Sequence, residues 1–297
     1  MNIYNRRFPS YSEPLYRPPS EAYSLILQIS LGCSHNKCSF CTMYKSKRYY
    51  VKTFEEIKND IDLFRENLSF VKRIFLADGD AISIPTELMV KVLQYIRDRF
   101  PECERISSYA SPKSILEKTD DELKLIKENG LDLVYLGIES GDSAVLKSIR
   151  KDVDYDGMLT VCKRIKKAGF KLSATLIAGI TGTDDYTDHA VNSGKLISGA
   201  KPDYLGVLTL LINPGCEIYN LLRTGKFHEA DSISILKEIR TMLENISTDE
   251  EIVFRANHAS NYVNLAGTLP QDKDYLLGQI DRALKNLDFK DDIYRRL

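Results

Sequence analysis

The chain has 297 residues, a formal net charge of −1, and a composition of 43% hydrophobic and 28% charged residues. This near-neutral balance gives no electrostatic reason for non-specific binding to nucleic acid or to an anionic membrane. No apolar run reaches the roughly eighteen residues that a transmembrane helix needs. The first residues contain several prolines and tyrosines but no apolar signal region. These features argue against a membrane partner and against nucleic acid.

Short β-rich segments alternate with amphipathic helical segments from residue 24 onward. The predicted strands are Leu25–Leu31, Arg73–Ala77, Arg105–Ala110, Asp132–Ile138, Phe170–Ala178, Tyr204–Ile212 and Glu251–Ala256. The predicted helices lie near Phe54–Leu68, Glu87–Phe100, Thr119–Asn129, Tyr155–Ala168, Tyr186–Ile197, Glu217–Leu222, Ile233–Ile246 and Lys273–Leu287. At least six β-then-α units in series predict a parallel sheet.

Polar and glycine-rich segments follow several of these strands. They are the cysteine-containing segment after the first strand, and then Asp78–Asp80, Glu139–Gly141, Gly179–Gly182 and Arg255–Asn261. In parallel α/β folds, functional residues gather at the carboxyl ends of the strands. We therefore expect these segments to lie along one edge of a single sheet.

The segment from Gly32 to Cys41, called the cysteine loop below, contains three of the six cysteines in a C-x4-C-x2-C spacing. A structural zinc site would normally add a fourth Cys or His at a paired spacing, and no such pair follows. A [2Fe–2S] centre with this spacing needs a further downstream cysteine, and the next one, Cys103, is distant. Three thiolates also suit a [4Fe–4S] cluster that keeps one iron open to a ligand. The residue pattern leaves all three sites open.

The remaining cysteines, Cys103, Cys162 and Cys216, are widely separated, which argues against a disulfide framework. We interpret them as core or inert thiols, because buried cysteine is common. The sequence therefore predicts a cytoplasmic protein with reduced thiols.

The cysteine loop resembles the signature loop of radical S-adenosylmethionine (SAM) enzymes. The resemblance rests on Cys33, Cys38 and Cys41, on Phe40 directly before the last cysteine, and on a glycine before the first. The commoner spacing in that family is C-x3-C-x2-C, so this loop carries one extra residue. The resemblance implies that the three cysteines hold a [4Fe–4S] cluster whose open iron binds SAM.

Other strand ends resemble the SAM-binding turns of the same family. Asp78, Gly79 and Asp80 stand where the family has a Gly-Gly-Glu-like segment that grips the methionine amino group, although the first glycine is missing and the carboxylate is shorter. Glu139 and Ser140 resemble a turn that meets the ribose. The resemblance also implies that Ile180 and Gly182 lie in a turn that packs against adenine, and that Arg150 or Lys151 contacts the methionine carboxylate.

The resemblance implies an α/β fold, a partial (β/α)6 TIM-like barrel with a C-terminal helical extension. The expected organisation is a leader over residues 1–23, a radical SAM partial barrel over 24–265 and the extension over 266–297. In that family, reductive cleavage of SAM gives a 5′-deoxyadenosyl radical that abstracts hydrogen from the substrate. An external one-electron donor, such as flavodoxin or ferredoxin, is implied as a partner.

The segment after the last predicted strand is the candidate substrate site. It places Arg255, Asn257, His258, Ser260 and Asn261 near the expected barrel mouth, although a polar loop that merely caps the barrel would look the same. We predict His258 as a catalytic proton donor or acceptor, because histidine titrates near neutral pH. Tyr109 is a second candidate catalytic residue at the end of its strand, whereas His189 is interpreted as a surface or core residue.

The substrate is expected to be a small molecule, because the chain has no basic, aromatic-interleaved appendage of the kind that binds RNA. In size, cysteine loop and C-terminal half, the chain resembles the queuine lyase type of radical SAM enzyme, which cleaves a C–N bond to release a 7-aminomethyl-7-deazaguanine base. Alternatives are another small metabolite, tRNA, a non-catalytic iron–sulfur or zinc binding module, and a TIM-barrel enzyme of unrelated chemistry.

Overall fold

A computed structural model describes residues 8–295 of the chain. These residues form two compact units. The first comprises residues 8–36, 43–135 and 164–171, and the second comprises 37–42, 136–163 and 172–295. The predicted leader and the predicted C-terminal extension each reach outside the described residues, at 1–7 and at 296–297 respectively. The domain boundaries predicted from the sequence stay a prediction.

Strands and helices alternate along most of the described chain. The strands are β1 (Leu25–Gln28), β2 (Ser30–Leu31), β3 (Tyr50–Val51), β4 (Arg73–Ala77), β5 (Arg105–Ala110), β6 (Leu131–Glu139), β7 (Lys171–Ala178), β8 (Tyr204–Thr209), β9 (Ile252–Ala256) and β10 (Leu265–Leu269). The helices are α1 (Phe54–Asn67), α2 (Thr86–Arg99), α3 (Pro112–Glu117), α4 (Asp120–Glu128), α5 (Ser143–Ser148), α6 (Tyr155–Lys167), α7 (Thr187–Ala200), α8 (Glu217–Arg223), α9 (Ser232–Glu244) and α10 (Lys273–Asn286).

The first unit contains a parallel arrangement of β1, β4 and β5. Leu25 lies opposite Ile74, and Ile74 lies opposite Ile106. Since the carboxyl ends of parallel neighbours meet at one edge, the segments that follow these three strands come together. The short hairpin of β2 and β3 pairs Ser30 with Val51 and carries the chain toward the first cysteine.

The second unit contains parallel pairs of its own. Strand β7 runs parallel to β8, and β8 runs parallel to β9. Strand β10 then turns back and pairs antiparallel with β9, with Leu265 opposite Ala256. The predicted α/β fold with a mostly parallel sheet is confirmed. Strand β10 lies between the last predicted strand and the last predicted helix, where no strand was predicted from the sequence.

Several helix boundaries follow directly from the sequence. The Thr53 side chain accepts the N–H of Glu56, and the Glu56 carboxylate accepts the N–H of Thr53, so a capping box starts α1. A second box, Thr119 with Glu122, starts α4 in the same way. In the described part of the chain, no helix is long and apolar enough to cross a bilayer.

A buried carboxylate fixes the leader segment inside the first unit. Glu21 is fully buried, and its Oε1 accepts hydrogen bonds from Arg105 Nη2 at 2.7 Å, Ser107 Oγ at 2.9 Å and the Tyr135 hydroxyl at 2.6 Å. Its other oxygen accepts from Ser24. A buried charge is tolerated only when it is paired and hydrogen-bonded, and this network meets both conditions.

The network predicts the effect of a conservative change. Glu21→Gln should lower the free energy of unfolding by about 2–3 kcal/mol, because charge-assisted hydrogen bonds are lost and an amide N–H₂ faces buried donors. Denaturant titration of the purified chain measures this quantity. Glu13→Gln, at an exposed leader position, serves as the control and should leave the midpoint unchanged. Equal midpoints for the two variants would contradict the assigned role of Glu21.

Candidate functional site

The cysteine loop begins in the first unit with tight backbone pairing around Gly32. The N–H of Gly32 donates to Asp78 Oδ2 at 2.8 Å, and the N–H of Gly79 donates to the carbonyl of Gly32 at 3.0 Å. A Cβ atom on Gly79 would stand 2.6 Å from the Tyr44 ring and 3.2 Å from Cys33 Cβ. Only glycine therefore allows the segment after β4 to approach the first cysteine this closely.

The Asp78 carboxylate is held by one ion pair and by hydrogen bonds from a side chain and from the backbone. Its carboxylate is fully buried, and it pairs with Lys47 Nζ at 2.8 Å and accepts from Gln28 Nε2 at 2.8 Å. The side chain of Lys47 is only 6% exposed. Gln28 in turn pairs with the backbone of Ser12, accepting its N–H at 2.9 Å and donating to its carbonyl at 3.0 Å. Asp78 thus anchors the start of the cysteine loop and ties it to the leader.

Asp80, which follows Asp78 and Gly79 in the chain, is another anchored carboxylate. It accepts hydrogen bonds from Ser111 N at 3.0 Å, Ser111 Oγ at 2.7 Å and Ser114 Oγ at 2.7 Å, and also from the Ser34 hydroxyl. Burial raises the pKa of the Asp80 carboxyl, and these donors oppose that shift. Asp80 thereby joins the residue after Cys33 to the N-terminus of α3. The predicted contact of Asp80 with the methionine amino group stays a prediction.

Tyr109, a predicted catalytic residue, belongs to an aromatic cluster in the first unit. Its ring meets Phe75 edge-on, with centroids 5.0 Å apart, and lies 6.1 Å from the Tyr135 ring. The residue is half-buried. Edge-on aromatic packing fixes the ring, which is the preorganisation that a catalytic side chain needs. Its catalytic role stays a prediction.

The second part of the cysteine loop belongs to the second unit. The N–H of Cys41 points to the carbonyl of Cys38 at 3.4 Å. Between them, Ser39 donates its N–H to the carbonyl of Ile149 at 3.1 Å and accepts the N–H of Ile218 at 3.1 Å. Main-chain bonds to the end of α5 and the start of α8 therefore hold the two cysteines. Phe40 lies between them and is half-buried.

Lys151 is a buried ammonium group on which these two cysteines act electrostatically. Its Nζ donates to Glu139 Oε1 at 2.9 Å, and both side chains are about 10% exposed. Burial alone would lower the pKa of Lys151, but Glu139, Cys38 and Cys41 together raise it above its ordinary value. Lys151 therefore keeps its positive charge.

The backbone at Gly137 packs closely against the ion pair of Lys151 and Glu139. Glu139 has a φ of +68°, and a Cβ atom on Gly137 would stand 2.0 Å from Glu139 Oε1. Arg150, the alternative candidate for the methionine carboxylate, is exposed and pairs with Glu217 at 2.7 Å. Of the two predicted basic residues, Lys151 is therefore the buried one and Arg150 the exposed one.

The predicted nucleoside-facing turns follow β6 and β7. Ser140 is fully buried, and its Oγ lies 2.7 Å from His189 Nδ1. Ile180 is buried, and Gly182 closes its turn by donating its N–H to the Gly179 carbonyl at 3.1 Å. A Cβ atom on Gly182, which has a φ of +65°, would also stand 2.3 Å from the carbonyl of His228. This turn therefore requires glycine.

The predicted substrate residues separate into two groups. Ser260 and Asn261 are buried and fasten their loop to β8: the Thr209 N–H donates to Ser260 Oγ at 3.2 Å, and Asn261 Nδ2 donates to the Val207 carbonyl at 2.8 Å. Arg255 and Asn257 are exposed, and Arg255 donates to the Gly267 carbonyl on β10 at 3.0 Å. Their contact with a substrate stays a prediction.

His258 has a defined neutral tautomer. Its Nδ1 accepts the N–H of Ser260 at 3.2 Å, which leaves the ring proton on Nε2. Burial, and then the charge of Lys290, lower the pKa of His258 below its ordinary 6.5. The half-buried ring can therefore present an N–H donor at neutral pH.

The lowered pKa predicts a pH dependence. Because the folded state favours the neutral ring, the stability that His258 contributes is present above pH 6.5 and is lost as pH falls through the lowered folded value. Nitrogen-15 NMR of the labelled imidazole should show an Nε2-protonated tautomer and a titration midpoint below 6.5. A midpoint above neutrality would contradict the described environment.

Comparison with protein families identifies the chain. The model of the radical SAM superfamily matches residues 27–192, which is more than half of the chain. The chain belongs to the radical SAM superfamily. The family resemblance predicted from the cysteine loop is thereby confirmed.

Individual relatives are distant. The heme chaperone HemW of Bacillus subtilis (strain 168) is 22% identical over 206 residues, which cover 66% of this chain and 52% of HemW. The crystal structure of methylornithine synthase (PylB) superposes with a TM-score of 0.53 at 18% identity, covering 76% of this chain and 63% of that one. Coproporphyrinogen III oxidase (HemN) of Escherichia coli gives a TM-score of 0.54 at 16% identity, covering 74% of this chain and 50% of HemN. The chain spans about half the length of the curated relatives it matches.

Radical SAM proteins use a [4Fe–4S] cluster and SAM, so the predicted cofactors are confirmed at the level of the family. The residues present fit this cofactor, because three thiols share one loop and two of them interact electrostatically with a buried ammonium. Within residues 8–295, no three Cys, His, Asp or Glu side chains are grouped around a single-ion site. A four-iron cluster spreads its thiolates over different irons and does not need such a grouping.

Several polar residues that hold the predicted site segments in place within each unit were not identified from the sequence. In the first unit they are Gln28 and Lys47, which hold Asp78, and Ser111 and Ser114, which hold Asp80. In the second unit it is Glu238, the buried partner of His189, which the sequence analysis interpreted only as a surface or core residue. One signal was present in the sequence: Glu238 falls on the apolar face of α9, between buried Leu236 and Ile239. A charged residue at a core position requires a partner, and that requirement points to a network.

Proposed function

We propose that this chain cleaves SAM reductively at a [4Fe–4S] cluster held by Cys33, Cys38 and Cys41, and acts on a small molecule. The observation that carries the proposal is the loop of three cysteines inside residues 27–192, the segment that matches the radical SAM family, with the buried Lys151–Glu139 pair in the same unit as Cys38 and Cys41. When bound together, cluster and SAM supply a 5′-deoxyadenosyl radical that takes a hydrogen atom from the substrate. The chain's own residues bind, orient and exclude water around this chemistry.

Each predicted residue has a distinct task in the proposal. Lys151 balances negative charge at the thiolates and is available to the methionine carboxylate, while Glu139 keeps that ammonium in position. Ser140 faces the ribose. Ile180 and Gly182 form the wall for adenine, since Gly182 admits no side chain. An external one-electron donor of the flavodoxin or ferredoxin class supplies the electron.

For the substrate we propose a small metabolite rather than tRNA. The net charge of −1 supports this choice, because RNA binding depends on neutralising phosphates with many basic residues. His258 presents an Nε2 proton donor, and Tyr109 a fixed hydroxyl, as the catalytic candidates. Queuine, with C–N cleavage to a 7-aminomethyl-7-deazaguanine base, is the first specific substrate that we propose to test.

The test of SAM cleavage uses the anaerobically reconstituted chain. Iron and sulfide are quantified, the protein is mixed with dithionite and SAM, and methionine and 5′-deoxyadenosine are measured by mass spectrometry. We expect both products in equal amounts and an electron paramagnetic resonance (EPR) signal of the reduced cluster that changes when SAM is added. If the EPR spectrum of the cluster does not change when SAM is added and no 5′-deoxyadenosine forms, the proposal is contradicted and a non-catalytic iron–sulfur module is favoured.

A second assay addresses queuine. Adding it should raise the rate of 5′-deoxyadenosine formation and yield the shortened aminomethyl base, and the same reaction in D₂O reports on any exchange at the substrate carbon. Absence of conversion, with SAM cleavage intact, would remove queuine and leave the proposal of a small-molecule substrate in place. A panel with unmodified tRNA in the same conditions separates the two substrate classes.

A further inference from the structure

A buried polar chain in the second unit connects the turn after β6 with the turn after β7. Ser140 Oγ lies 2.7 Å from His189 Nδ1, and His189 Nε2 lies 3.2 Å from Glu238 Oε1. Both oxygens of Glu238 face the N–H of Gly179, at 3.0 and 3.1 Å. All three side chains are at most 1% exposed. One continuous path therefore runs from Ser140 to Gly179.

The direction of each contact can be assigned from its neighbours. The imidazole nitrogen that faces the Glu238 carboxylate carries a proton, because two lone pairs 3.2 Å apart would repel each other. The ring then offers Nδ1 as an acceptor, so the Ser140 hydroxyl donates to it. Ser140 Oγ at the same time accepts the N–H of Asp142 at 2.9 Å. The hydroxyl is thus fixed by one donor and one acceptor.

The His189–Glu238 contact is electrostatic rather than a well-aimed hydrogen bond. The distance is within ion-pair range, but Nε2 does not meet hydrogen-bond geometry. A buried carboxylate is costly to desolvate, and a neutral amide would satisfy a single peptide N–H at lower cost. A charged carboxylate at this position can bind two groups at once, the N–H of Gly179 and the His189 imidazole.

Helix α7 reinforces the same connection. Ser193 accepts the N–H of Gly141 at 2.8 Å, one turn along α7 from His189. A Cβ atom on Gly141 would stand 2.3 Å from the carbonyl of Asn192, so α7 lies directly against the turn after β6. Gly179 itself has a φ of +78° and opens the turn after β7. His189 thus stands at the place where α7, the Ser140 turn and α9 meet.

We infer that His189 and Glu238 are positioning residues that hold the Ser140 turn and the Gly179 turn at a fixed separation for the nucleoside half of SAM. The inference rests on the proposed function, in which Ser140 faces the ribose and the Gly179–Gly182 turn faces adenine. Neither His189 nor Glu238 touches the ligand in this assignment. They preorganise two turns that would otherwise have to be ordered on binding, which costs affinity.

Two substitutions at His189 separate its two contacts. In His189→Asn, the amide oxygen replaces Nδ1 as the acceptor for Ser140, but the side chain no longer reaches Glu238. In His189→Gln, the longer amide still donates toward Glu238, but the acceptor for Ser140 is lost. Glu238→Gln keeps the size of the side chain and an acceptor for Gly179 while removing the charge. Ser198→Ala, which alters α7 away from both turns, is the matched control.

The reconstituted holoenzyme is measured for SAM affinity, for affinity toward 5′-methylthioadenosine, and for iron content. The nucleoside probe contains adenine and ribose without the amino-acid part, so it reports on the two turns alone. We expect both His189 variants and Glu238→Gln to weaken the binding of both ligands about tenfold, because each variant removes one of the buried contacts that fix the two turns. The kcat for SAM cleavage at saturation should change less than about threefold, with iron content equal to that of Ser198→Ala.

Three results would overturn the inference. One is an affinity for the nucleoside probe within twofold of the control. Another is a fall in kcat with unchanged KM for SAM. The third is loss of iron or of folding in Glu238→Gln, which would show that His189 and Glu238 stabilise the core and do not specifically position the two turns. If the wild-type chain neither binds the probe nor cleaves SAM, the proposed function fails instead, so the two failures are distinguishable.

Discussion

Replacement of Cys38 by alanine is expected to abolish iron retention and 5′-deoxyadenosine formation. Three thiolates on a four-iron cluster leave one iron open, whereas two would leave two irons without a protein ligand and cannot hold the cluster in the same state. Cys38 also acts electrostatically on the Lys151 ammonium, and its replacement by alanine removes that interaction. Iron and sulfide analysis with the visible absorption spectrum measures the first effect, and product analysis measures the second.

The chain offers a matched control for this experiment. Cys162 is fully buried on α6, and burial raises the pKa of its thiol to about 12, so it is an inert core residue. Cys162→Ala should retain iron and activity, with a loss of stability of about 1 kcal/mol from the lost sulfur contacts. Full turnover in Cys38→Ala, or equal iron loss in both variants, would contradict the assignment of the cysteine loop.

The second large effect is expected at the ion pair beneath the cysteine loop. Lys47→Met leaves the Asp78 carboxylate buried without its cation, which should lower the free energy of unfolding by about 3–5 kcal/mol. The double variant Lys47→Met/Asp78→Asn should recover part of that loss, because no uncompensated charge remains. Urea titration of the cluster-free chain separates this effect from cofactor binding.

Lys58→Met is the control for this second prediction. Lys58 pairs with Asp62 one helical turn away on α1, and the lysine side chain is 37% exposed. Solvent-exposed pairs of this kind contribute little, so the control should unfold near the wild-type midpoint. A loss for Lys47→Met as small as that for Lys58→Met would show that Asp78 is not anchored as described.

Much of the fold could be predicted because local chemistry repeats along the chain. The capping box of Thr53 and Glu56 marks the start of α1, and the alternation of β-rich and amphipathic segments predicts parallel strands. Strand β10 was missed because its sequence, Leu265–Leu269, is short and contains a glycine. Its place as a strand comes from antiparallel pairing with β9, a long-range contact that no local pattern records.

The candidate site was predictable only in part. The cysteine spacing identifies the family, because it reflects the chemistry of the ligand itself. The roles of Asp78 and Asp80 depend on which donors surround them, and those donors come from distant segments: Gln28 and Lys47 for Asp78, and α3 for Asp80. The difference between Lys151 and its neighbour Arg150 likewise depends on burial, which a single sequence does not display.

Asp78 binds two groups that precede it by many residues, the Gln28 side chain and the N–H of Gly32, and this affects the order in which the first unit folds. The first cysteine leaves the ribosome well before β4 does, yet the N–H of Gly32 finds its acceptor only when Asp78 is present. Chains fold progressively during synthesis, and non-local contacts form late. The thiol of Cys33 should therefore remain unfixed until β4 has joined β1, and insertion of the cluster would follow that event.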